Sequence, residues 1–311
     1  MKKNSEPRPR ILILGASGLL GSRISKNLSS LFEVYQHSHS VKAYSTINYC
    51  NINLQDFVGT YNTLKSLNPK VVINCAAMTD IEKCERLPEA TWLINTLIAM
   101  NLAKVCSQLQ IKFIQISTDH IVSKTHIRNE YATYYGINQY GCSKLQADNF
   151  ITQNNDNSIV VRSNFFGTSP VSKNSFLDWI VNSLEYGKQI TGFNDVFFNP
   201  VSIGFLIDIL QFLIEIDFKG IINLGCEIPI SKYDFICEIA SKLDIEPRVI
   251  SASRSTSSRQ NFRYPDLALD ISFLKTIFHR KIPLLTEMMD NEVEYRQLNP
   301  KPKESNAFFG Q

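Results

Sequence analysis

The chain has 311 residues, of which 44% are hydrophobic, and its formal net charge is only +3. This length suffices for one large domain or for two closely joined domains with a substantial core. The nearly balanced charge and the dispersed basic residues argue against a nucleic-acid polymer as a partner.

The cysteines and the first residues indicate the compartment. The seven cysteines are scattered and form no Cys-x-x-Cys pair, which predicts reduced thiols. Residues 1–10 are polar, and no apolar stretch reaches membrane length, so we expect a cytoplasmic protein that neither carries a signal peptide nor binds a membrane. His37 and His39 have no Cys or His cluster beside them, so no metal site is predicted.

The most informative segment is a short apolar run that leads directly into three glycines. Residues Ile11–Leu14 are followed by Gly15, Gly18 and Gly21. In this pattern the first glycine permits a tight turn, the second lets a pyrophosphate approach the backbone, and the third lets the next helix pack on its strand. The segment therefore predicts a dinucleotide-binding loop. Its predicted cofactor contacts are Gly15, Ser17, Gly18, Leu19, Leu20 and Gly21.

Strand-length apolar runs alternate with helix-period segments through the first half of the chain. Strands are predicted at 11–14, 34–35, 71–76, 113–117 and 159–161, and helices at 20–31, 90–109 and 140–152. This alternation predicts an α/β fold, namely a Rossmann-type doubly wound parallel sheet.

The second half is predicted to be mainly helical. Helices are expected over 175–186, over 202–216 and from Ser231 to Leu243, and a strand over 220–225 is expected to return to the sheet. We predict a Rossmann domain over 1–165 and a smaller, mainly helical C-terminal substrate domain over 166–298. The latter makes short returns to the sheet near 195–225, and residues 299–311 form a tail.

Three residues have the chemistry of a reductase site. Tyr140 and Lys144 are four residues apart on a predicted helix, so their side chains share one face. A nearby ammonium and a cationic cofactor are expected to lower the pKa of Tyr140 toward a range useful for a general acid. Thr118 follows a predicted central strand, where open α/β sheets bind ligands, and its hydroxyl is expected to bind the same substrate oxygen.

The end of the second strand bears on the choice of cofactor. Residues 36–40 include no carboxylate to accept a hydrogen bond from the ribose of NAD. His37, Ser38 and Lys42 are placed to face a 2'-phosphate. NADPH is therefore the predicted cofactor, and NADH remains open.

These motifs resemble those of the extended short-chain dehydrogenase/reductases, and most closely the dTDP-4-dehydrorhamnose reductase family. The resemblance covers about residues 10–292. The matching residues are Gly15, Gly18 and Gly21, Asn53-Leu54, Asn74 to Ala77 with Thr79, Asn95, Ser117-Thr118-Asp119, Tyr140 with Lys144, Arg162, Asn199-Pro200 and Leu269-Asp270.

The resemblance implies roles for these residues. Thr118, Tyr140 and Lys144 would be catalytic. Tyr140 and Lys144 would also contact the cofactor, and Lys144 would hold the nicotinamide ribose. The remaining implied cofactor contacts are Asn53 and Leu54 beside the adenine, Ala76 and Ala77 in the cofactor cleft, and Asn95. The implied substrate contacts are Thr79, Asp119, His120, Phe165 and Asn199.

The chain departs from the family pattern on the substrate side. His120 replaces a Tyr, Phe165 replaces a Trp, and Tyr264 stands in place of an Arg before Pro265. We also expect Arg259 and Arg263, in a segment rich in Ser and Arg, to contact the diphosphate of a sugar nucleotide.

The implied function is NAD(P)H-dependent reduction of the 4-keto group of a nucleotide-activated deoxysugar, in the biosynthesis of a surface polysaccharide sugar. Two alternatives remain open. A sugar-nucleotide epimerase or dehydratase would need retained NAD and a further acid or base. A non-catalytic NADP-binding regulatory subunit, similar to methionine adenosyltransferase beta, would keep the same Tyr and Lys. The sequence leaves the sugar, the nucleotide and the oligomeric state undetermined, and a homodimer is compatible with it.

Overall fold

The computed structural model of the chain describes residues 7–38, 48–123, 125, 128–168, 175–246, 248–253 and 264–300. The strands in these residues are β1 (Arg10–Leu14), β2 (Glu33–His37), β3 (Asn48–Tyr49), β4 (Val71–Asn74), β5 (Lys112–Ile116), β6 (Ile121–Ser123), β7 (Tyr134–Gly136), β8 (Ser158–Ser163), β9 (Phe165–Phe166), β10 (Ile190–Phe193), β11 (Phe197–Phe198), β12 (Val201–Ser202), β13 (Gly220–Leu224), β14 (Ile230–Ser231) and β15 (Val249–Ala252).

The helices are α1 (Leu19–Leu28), α2 (Phe57–Leu67), α3 (Ile81–Arg86), α4 (Pro88–Trp92), α5 (Ile98–Gln108), α6 (Gln139–Asn154), α7 (Phe176–Glu185), α8 (Ile203–Glu215), α9 (Lys232–Lys242), α10 (Ser272–Ile277) and α11 (Leu285–Leu298). None of these described helices has both the length and the apolar character needed to cross a bilayer.

Seven strands form one sheet in the order β3-β2-β1-β4-β5-β8-β13, and every neighbouring pair is parallel. The predicted Rossmann-type doubly wound sheet is therefore confirmed. The strand order reverses at β1, which lies between β2 and β4. In such sheets the ligand binds beyond the carboxyl ends of the strands at this reversal.

The two faces of the sheet are covered by different helices. Alternate residues of β1, such as Ile11 and Ile13, pack with α1 and α8, and the same apolar cluster continues into α7, α9 and α11. Leu12 and Leu14 point to the opposite face and pack with α2, α5 and α6. The apolar runs of the sequence are continuous because both faces of these parallel strands are buried.

The predicted elements of the second half are confirmed. Ser175, Ser202 and Ser231 cap the first turns of α7, α8 and α9 by accepting hydrogen bonds from backbone N–H groups. Gly187 follows α7 with a φ of +63°, as a glycine after a helix C-terminus allows. Strand β13 pairs with β8 at the edge of the main sheet, so the chain returns to the sheet after α8.

One predicted helix is interrupted. The segment expected to be a single helix over 90–109 consists of α4, a π-helical turn over Leu93–Leu97 and α5. This turn carries the buried Asn95, whose side-chain amide bonds both backbone groups of Met78. A π turn shifts the register of the side chains, and such turns are frequent at functional sites.

A buried ion pair joins α1 to α11. The Arg23 guanidinium on α1 donates from both terminal nitrogens to the Glu292 carboxylate on α11, at 3.0 and 3.1 Å. The two side chains are only 4% and 2% exposed. The same guanidinium lies 3.5 Å from the centre of the Tyr295 ring, and Glu292 also accepts the Gly204 backbone N–H at the start of α8.

Glu292→Ala should lower the free energy of unfolding by roughly 3 to 5 kcal/mol, because it leaves a buried guanidinium without its counter-charge. Asp290→Ala on the same helix is the matched control, since Asp290 pairs with Lys242 at the surface and is 61% exposed. This variant should lower the free energy of unfolding by less than about 1 kcal/mol. Urea unfolding measures the free energy of unfolding of both variants. Equal losses in the two variants would contradict a specific contribution from the Arg23–Glu292 pair.

Candidate active site

The glycine loop lies at the reversal of the strand order. Gly15 follows β1 with a φ of +76°, and a Cβ on it would come within 2.7 Å of the Ala76 backbone nitrogen beyond β4. A Cβ on Gly21 would come within 2.4 Å of the Gly15 carbonyl oxygen. Only glycine fits at either position, so the loop lies close against the ends of β1 and β4.

The first turn of α1 has the properties of an anion site. Gly18 is the N-cap residue, no side chain caps the helix, and the first turn contains no acidic residue. The N–H groups without a side-chain cap and the helix dipole therefore favour a phosphate here. Ser17 and Leu19 are partly exposed, whereas the Leu20 side chain packs into the core. The loop fits the pyrophosphate of a dinucleotide.

The carboxyl end of β2 carries the polar residues Gln36, His37 and Ser38. None of these three residues has a carboxylate. The His37 ring is buried, with Nδ1 3.0 Å from the Cys50 carbonyl oxygen, and Tyr49 donates to the Ser38 carbonyl. The Gln36 side-chain nitrogen is buried without a hydrogen-bond partner. Lys42 lies outside the described residues.

The predicted cofactor residues Ala76 and Ala77 follow β4, whereas Asn53 and Leu54 follow β3. Ala76 and Ala77 are partly exposed, and Asn53 is exposed while Leu54 is 7% exposed. Asn95 is almost fully buried and bonds Met78 and the Ser143 hydroxyl, so its side chain holds the loop after β4 against α6. Its expected cofactor contact stays a prediction.

Thr118 and Tyr140 meet at the carboxyl end of β5. Thr118 is 3% exposed and Tyr140 is partly exposed. Desolvation raises the pKa of Tyr140, the neighbouring Thr118 hydroxyl acts in the opposite direction, and Asp119 raises the pKa further. The expected lowering of this pKa is not found in the protein alone. Tyr140 is held as the protonated phenol.

Lys144 lies one turn further along α6 and is 2% exposed. Its ammonium donates to the Ile116 carbonyl at 2.6 Å. Burial lowers the pKa of Lys144 to about 8, and the negative charge of Asp148 partly opposes this shift. The ammonium is therefore close to losing its proton in the protein alone.

The sequence analysis did not identify Asp148. This fully buried carboxylate accepts the Ser117 hydroxyl at 2.8 Å and Arg162 Nε at 3.1 Å through the same oxygen. Its position was visible in the sequence, because it follows Lys144 by four residues and so shares the helix face of Tyr140 and Lys144. Its partners, Ser117 just after β5 and Arg162 on β8, were not visible.

The predicted substrate residues differ in their position relative to Tyr140 and in their exposure. Asp119 and His120 lie beside Tyr140: the His120 ring meets the Tyr140 ring edge-on, with 5.6 Å between centroids. Thr79 is exposed after β4, and Phe165 is partly exposed in β9. Asn199 is buried and its amide bonds Leu269 and Cys226, so the structure gives it an internal role. Arg259 and Arg263 lie outside the described residues.

Comparisons with known proteins identify a family and several relatives of this chain. The family profile described as "RmlD substrate binding domain" matches residues 9–294. A probable low-salt glycan biosynthesis reductase, Agl14 of Haloferax volcanii, is 26% identical over 241 residues, which cover 73% of this chain and 79% of that protein.

Two further relatives match over shorter stretches. The dTDP-4-dehydrorhamnose reductase of Mycolicibacterium smegmatis is 31% identical over 156 residues, covering 50% of this chain and 46% of that protein. Methionine adenosyltransferase 2 subunit beta of Xenopus laevis is 31% identical over 161 residues, with coverages of 50% and 46%. Each of these two matches spans about half of the relative's length.

Among solved structures, dTDP-4-dehydrorhamnose reductase from Bacillus anthracis in complex with NADP superposes with a TM-score of 0.84 at 20% identity. The superposition covers 93% of this chain and 99% of that chain, and it shows a shared fold. Because the family profile covers nearly the whole sequence, the resemblance found in the motifs is confirmed: this chain belongs to the RmlD substrate-binding-domain family, which includes the dTDP-4-dehydrorhamnose reductases.

Proposed function

We propose that this chain is an NADPH-dependent reductase that acts on the 4-keto group of a nucleotide-activated deoxysugar, as a step toward a polysaccharide sugar. The observation that carries the proposal is the position of the Thr118 hydroxyl beside Tyr140 at the carboxyl end of β5, with Lys144 one helical turn away. This end of β5 is next to the end of β4, which separates it from β1 and the glycine loop. The cytoplasmic location and a homodimer also stay predictions.

The proposed chemistry divides the work among three residues. NADPH, when bound, supplies the hydride. Tyr140 donates its phenolic proton to the substrate oxygen, and its raised pKa keeps that proton in place until charge develops on the oxygen. Thr118, whose hydroxyl lies beside the phenol, offers a second polar contact to the same oxygen. Lys144 contributes a cation beside the phenolate that forms.

The residues proposed to hold the cofactor lie on the glycine loop, at the start of α1 and at the ends of β2 and β4. The loop from Gly15 to Gly21 and the first turn of α1 would bind the pyrophosphate, and the ends of β2 and β4 would bind the adenosine half. Lys144 would leave the Ile116 carbonyl to reach the nicotinamide ribose. Arg259 and Arg263 remain the predicted contacts to the sugar nucleotide's diphosphate.

The experiment that tests the function is a screen of 4-keto-sugar nucleotides for NADPH oxidation, with mass detection of a product two mass units heavier. Reduction of at least one such compound supports the proposal. Failure across nucleotides and sugars, together with stoichiometric binding to a larger enzyme, would support the regulatory-subunit alternative. Interconversion without net NADPH consumption would support the epimerase alternative.

Tyr140→Phe should lower turnover by roughly two to four orders of magnitude, the usual range for loss of a positioned general acid. The affinity for NADPH should change little, because the phenyl ring still fills the same space. Tyr61→Phe on α2 is the control and should keep normal turnover. Single-turnover kinetics and cofactor fluorescence measure the two properties. A Tyr140→Phe enzyme with near-normal turnover would remove Tyr140 from the mechanism.

The affinity for NADPH should exceed that for NADH, because no carboxylate is present at the described end of β2 to repel a 2'-phosphate. Ser38→Asp should shift the ratio of the two dissociation constants toward NADH, and Ser38→Asn is the matched uncharged control. Fluorescence titration of each protein with both cofactors gives the ratios. Tighter binding of NADH by the unaltered protein would show that the selectivity has another source.

Lys144→Met should abolish turnover and yet stabilise the protein without cofactor by about 2 to 3 kcal/mol at pH 7. The reason is that the pKa of Lys144 falls from 10.5 to about 8 on folding, so a protonated ammonium is buried at a cost below pH 8. This cost declines as the pH rises from 8 toward 10.5, so the advantage of the variant should shrink over that range.

Urea unfolding at pH 7 and pH 10 measures this difference. Lys83→Met, at an exposed position of α3, is the control and should show no comparable pH-dependent gain. A Lys144→Met protein that is less stable than the unaltered one at pH 7 would show that the hydrogen bond to Ile116 outweighs the cost of burying the charge.

A further inference from the structure

Two consecutive residues at the carboxyl end of β5 are bound by two residues one turn apart on α6. The Lys144 ammonium donates to the Ile116 carbonyl at 2.6 Å, and the Ser117 hydroxyl donates to the Asp148 carboxylate at 2.8 Å. Residues four apart on a helix share one face, so both contacts come from the same face of α6. The next residue of the chain is Thr118. These two contacts therefore fix where Thr118 leaves the sheet relative to α6.

Asp148 also ties this strand end to β8. The carboxylate oxygen that accepts the Ser117 hydroxyl also accepts Arg162 Nε at 3.1 Å, and the Ser117 backbone N–H donates to the Val161 carbonyl at 2.7 Å. Ser117 is thus bound to α6 through its side chain and to β8 through its backbone. When Lys144 turns to the nicotinamide ribose, as proposed above, the Asp148 contact is the one that continues to hold the strand end.

The burial of Asp148 is costly. The residue is 0% exposed, and its second oxygen, Oδ1, has no hydrogen-bond partner among the described residues. Its partner Arg162 is also buried, and the guanidinium carbon lies 4.8 Å from the centre of the Tyr134 ring. A buried ion pair is weak evidence for a role in stability, since apolar residues of similar volume often serve as well. A role in the chemistry of the neighbouring helix face would account for the charge.

The negative charge of Asp148 acts in the same direction on both proton-bearing groups of its helix face. Desolvation is the largest effect on each group: it lowers the pKa of Lys144 and raises the pKa of Tyr140. Asp148 raises both pKa values. Cys75 also acts on Lys144, but burial raises the pKa of its thiol to about 12, so the thiol is uncharged near neutral pH. Asp148 therefore favours the protonated form of both groups.

The titratable and charged groups around this part of α6 come from the helix itself and from four elements packed on it. They are Tyr140 and Asp148 on α6, Cys75 after β4, Asp119 after β5, Arg162 on β8 and Cys84 on α3. Asp119 and Cys84 act on Tyr140 and raise its pKa, and Arg162 is paired with Asp148. Of these groups, Asp148 is the anion whose charge acts on Lys144.

We propose that Asp148 is a positioning residue of the reductase: it holds the end of β5 so that Thr118 lies beside Tyr140, and it supplies the negative charge that keeps Lys144 an ammonium. This inference rests on the proposed reductase function. The ammonium is required because Lys144 contributes a cation beside the phenolate that forms at Tyr140. Activity is then lost as the pH rises through the pKa of Lys144, so loss of the Asp148 charge should move that limit to lower pH.

The charge of Lys144 can be titrated in the full protein without a substrate. ¹³C spectra of protein labelled on lysine report the protonation of each ammonium, and the signal that is missing from Lys144→Met assigns Lys144. We expect a midpoint at about 8 in the unaltered protein. The midpoint should be lower by about one unit or more in Asp148→Asn, which keeps an acceptor for the Ser117 hydroxyl but carries no charge.

Asp156→Asn is the matched control for this titration. It removes an exposed carboxylate just after α6 and should leave the midpoint of Lys144 unchanged. The same midpoint in Asp148→Asn as in the unaltered protein, or equal shifts in Asp148→Asn and Asp156→Asn, would overturn the charge role of Asp148.

A second variant covers the case in which Asp148→Asn does not fold, since it leaves the buried Arg162 guanidinium without its counter-charge. Asp148→Asn combined with Arg162→Met removes both charges and avoids this penalty. The midpoint of Lys144 should fall in the double variant as well, because Asp148 is the anion that acts on Lys144. A folded double variant whose midpoint equals that of the unaltered protein would overturn the charge role.

The pH profile of the reductase tests the same charge during turnover. With NADPH saturating, kcat/KM for the sugar nucleotide should fall at high pH, and this alkaline limit should lie about one unit lower in Asp148→Asn than in the unaltered protein. Loss of a purely structural contact would lower the rate at every pH and leave the limit in place. An alkaline limit at the same pH in both proteins would therefore overturn the charge role.

Ser117→Ala tests the contact with the strand end. The variant keeps the Asp148 charge, so the midpoint of Lys144 should change little, whereas kcat should fall about tenfold or more because Thr118 is no longer held in place. Ser158→Ala is the matched control with normal kcat, since it removes another buried hydroxyl, which donates to the Asn155 carbonyl at the start of β8. A normal kcat in Ser117→Ala would overturn the positioning of Thr118.

The titration and the kinetics separate this inference from the proposed function. Absence of reductase activity in the unaltered protein would overturn the proposed function and, with it, the part of Asp148 in the reaction. The lysine titration judges the effect of Asp148 on Lys144 by itself, because it needs neither a substrate nor turnover.

Discussion

The close approach of the glycine loop to the ends of β1 and β4 is the constraint on which the site depends. Gly15 touches the backbone beyond β4, and Gly21 touches the carbonyl of Gly15, so neither position has room for a side chain. These contacts set where α1 begins and in which direction it runs. The reversal of strand order at β1 then places the open first turn of α1 beside the ends of β4 and β5, where Thr118 follows.

Helix α1 connects the glycine loop to α11. One turn after the loop, Arg23 pairs with Glu292 on α11, and Glu292 in turn binds the first turn of α8. The apolar cluster on this face of the sheet is continuous from α1 through α8 to α11. The helical second half is thus packed on the sheet through one shared core, which fixes it relative to the loop.

Helix α6, which carries the proposed catalytic residues Tyr140 and Lys144, holds groups whose burial opposes stability. Lys144 is nearly inaccessible and its pKa is lowered to about 8, while the pKa of Tyr140 is raised. Both shifts come from desolvation, which disfavours the charged forms. Asp148, the next residue on this helix face, is paired with Arg162 and Ser117 and opposes the shift of Lys144. Functional sites commonly retain such unfavourable groups because the chemistry requires them.

The sequence by itself determined the features that depend on local spacing. The glycine loop, the alternation of strands and helices, the serine N-caps and the shared face of Tyr140 and Lys144 all follow from residues a few positions apart. Tertiary structure alone decided what depends on distant residues: the partners of Asp148, the Arg23–Glu292 pair and the π turn that presents Asn95 to Met78 and Ser143. It also decided the direction of the pKa shift of Tyr140, because desolvation depends on every element packed around the phenol and not on its helical neighbour alone.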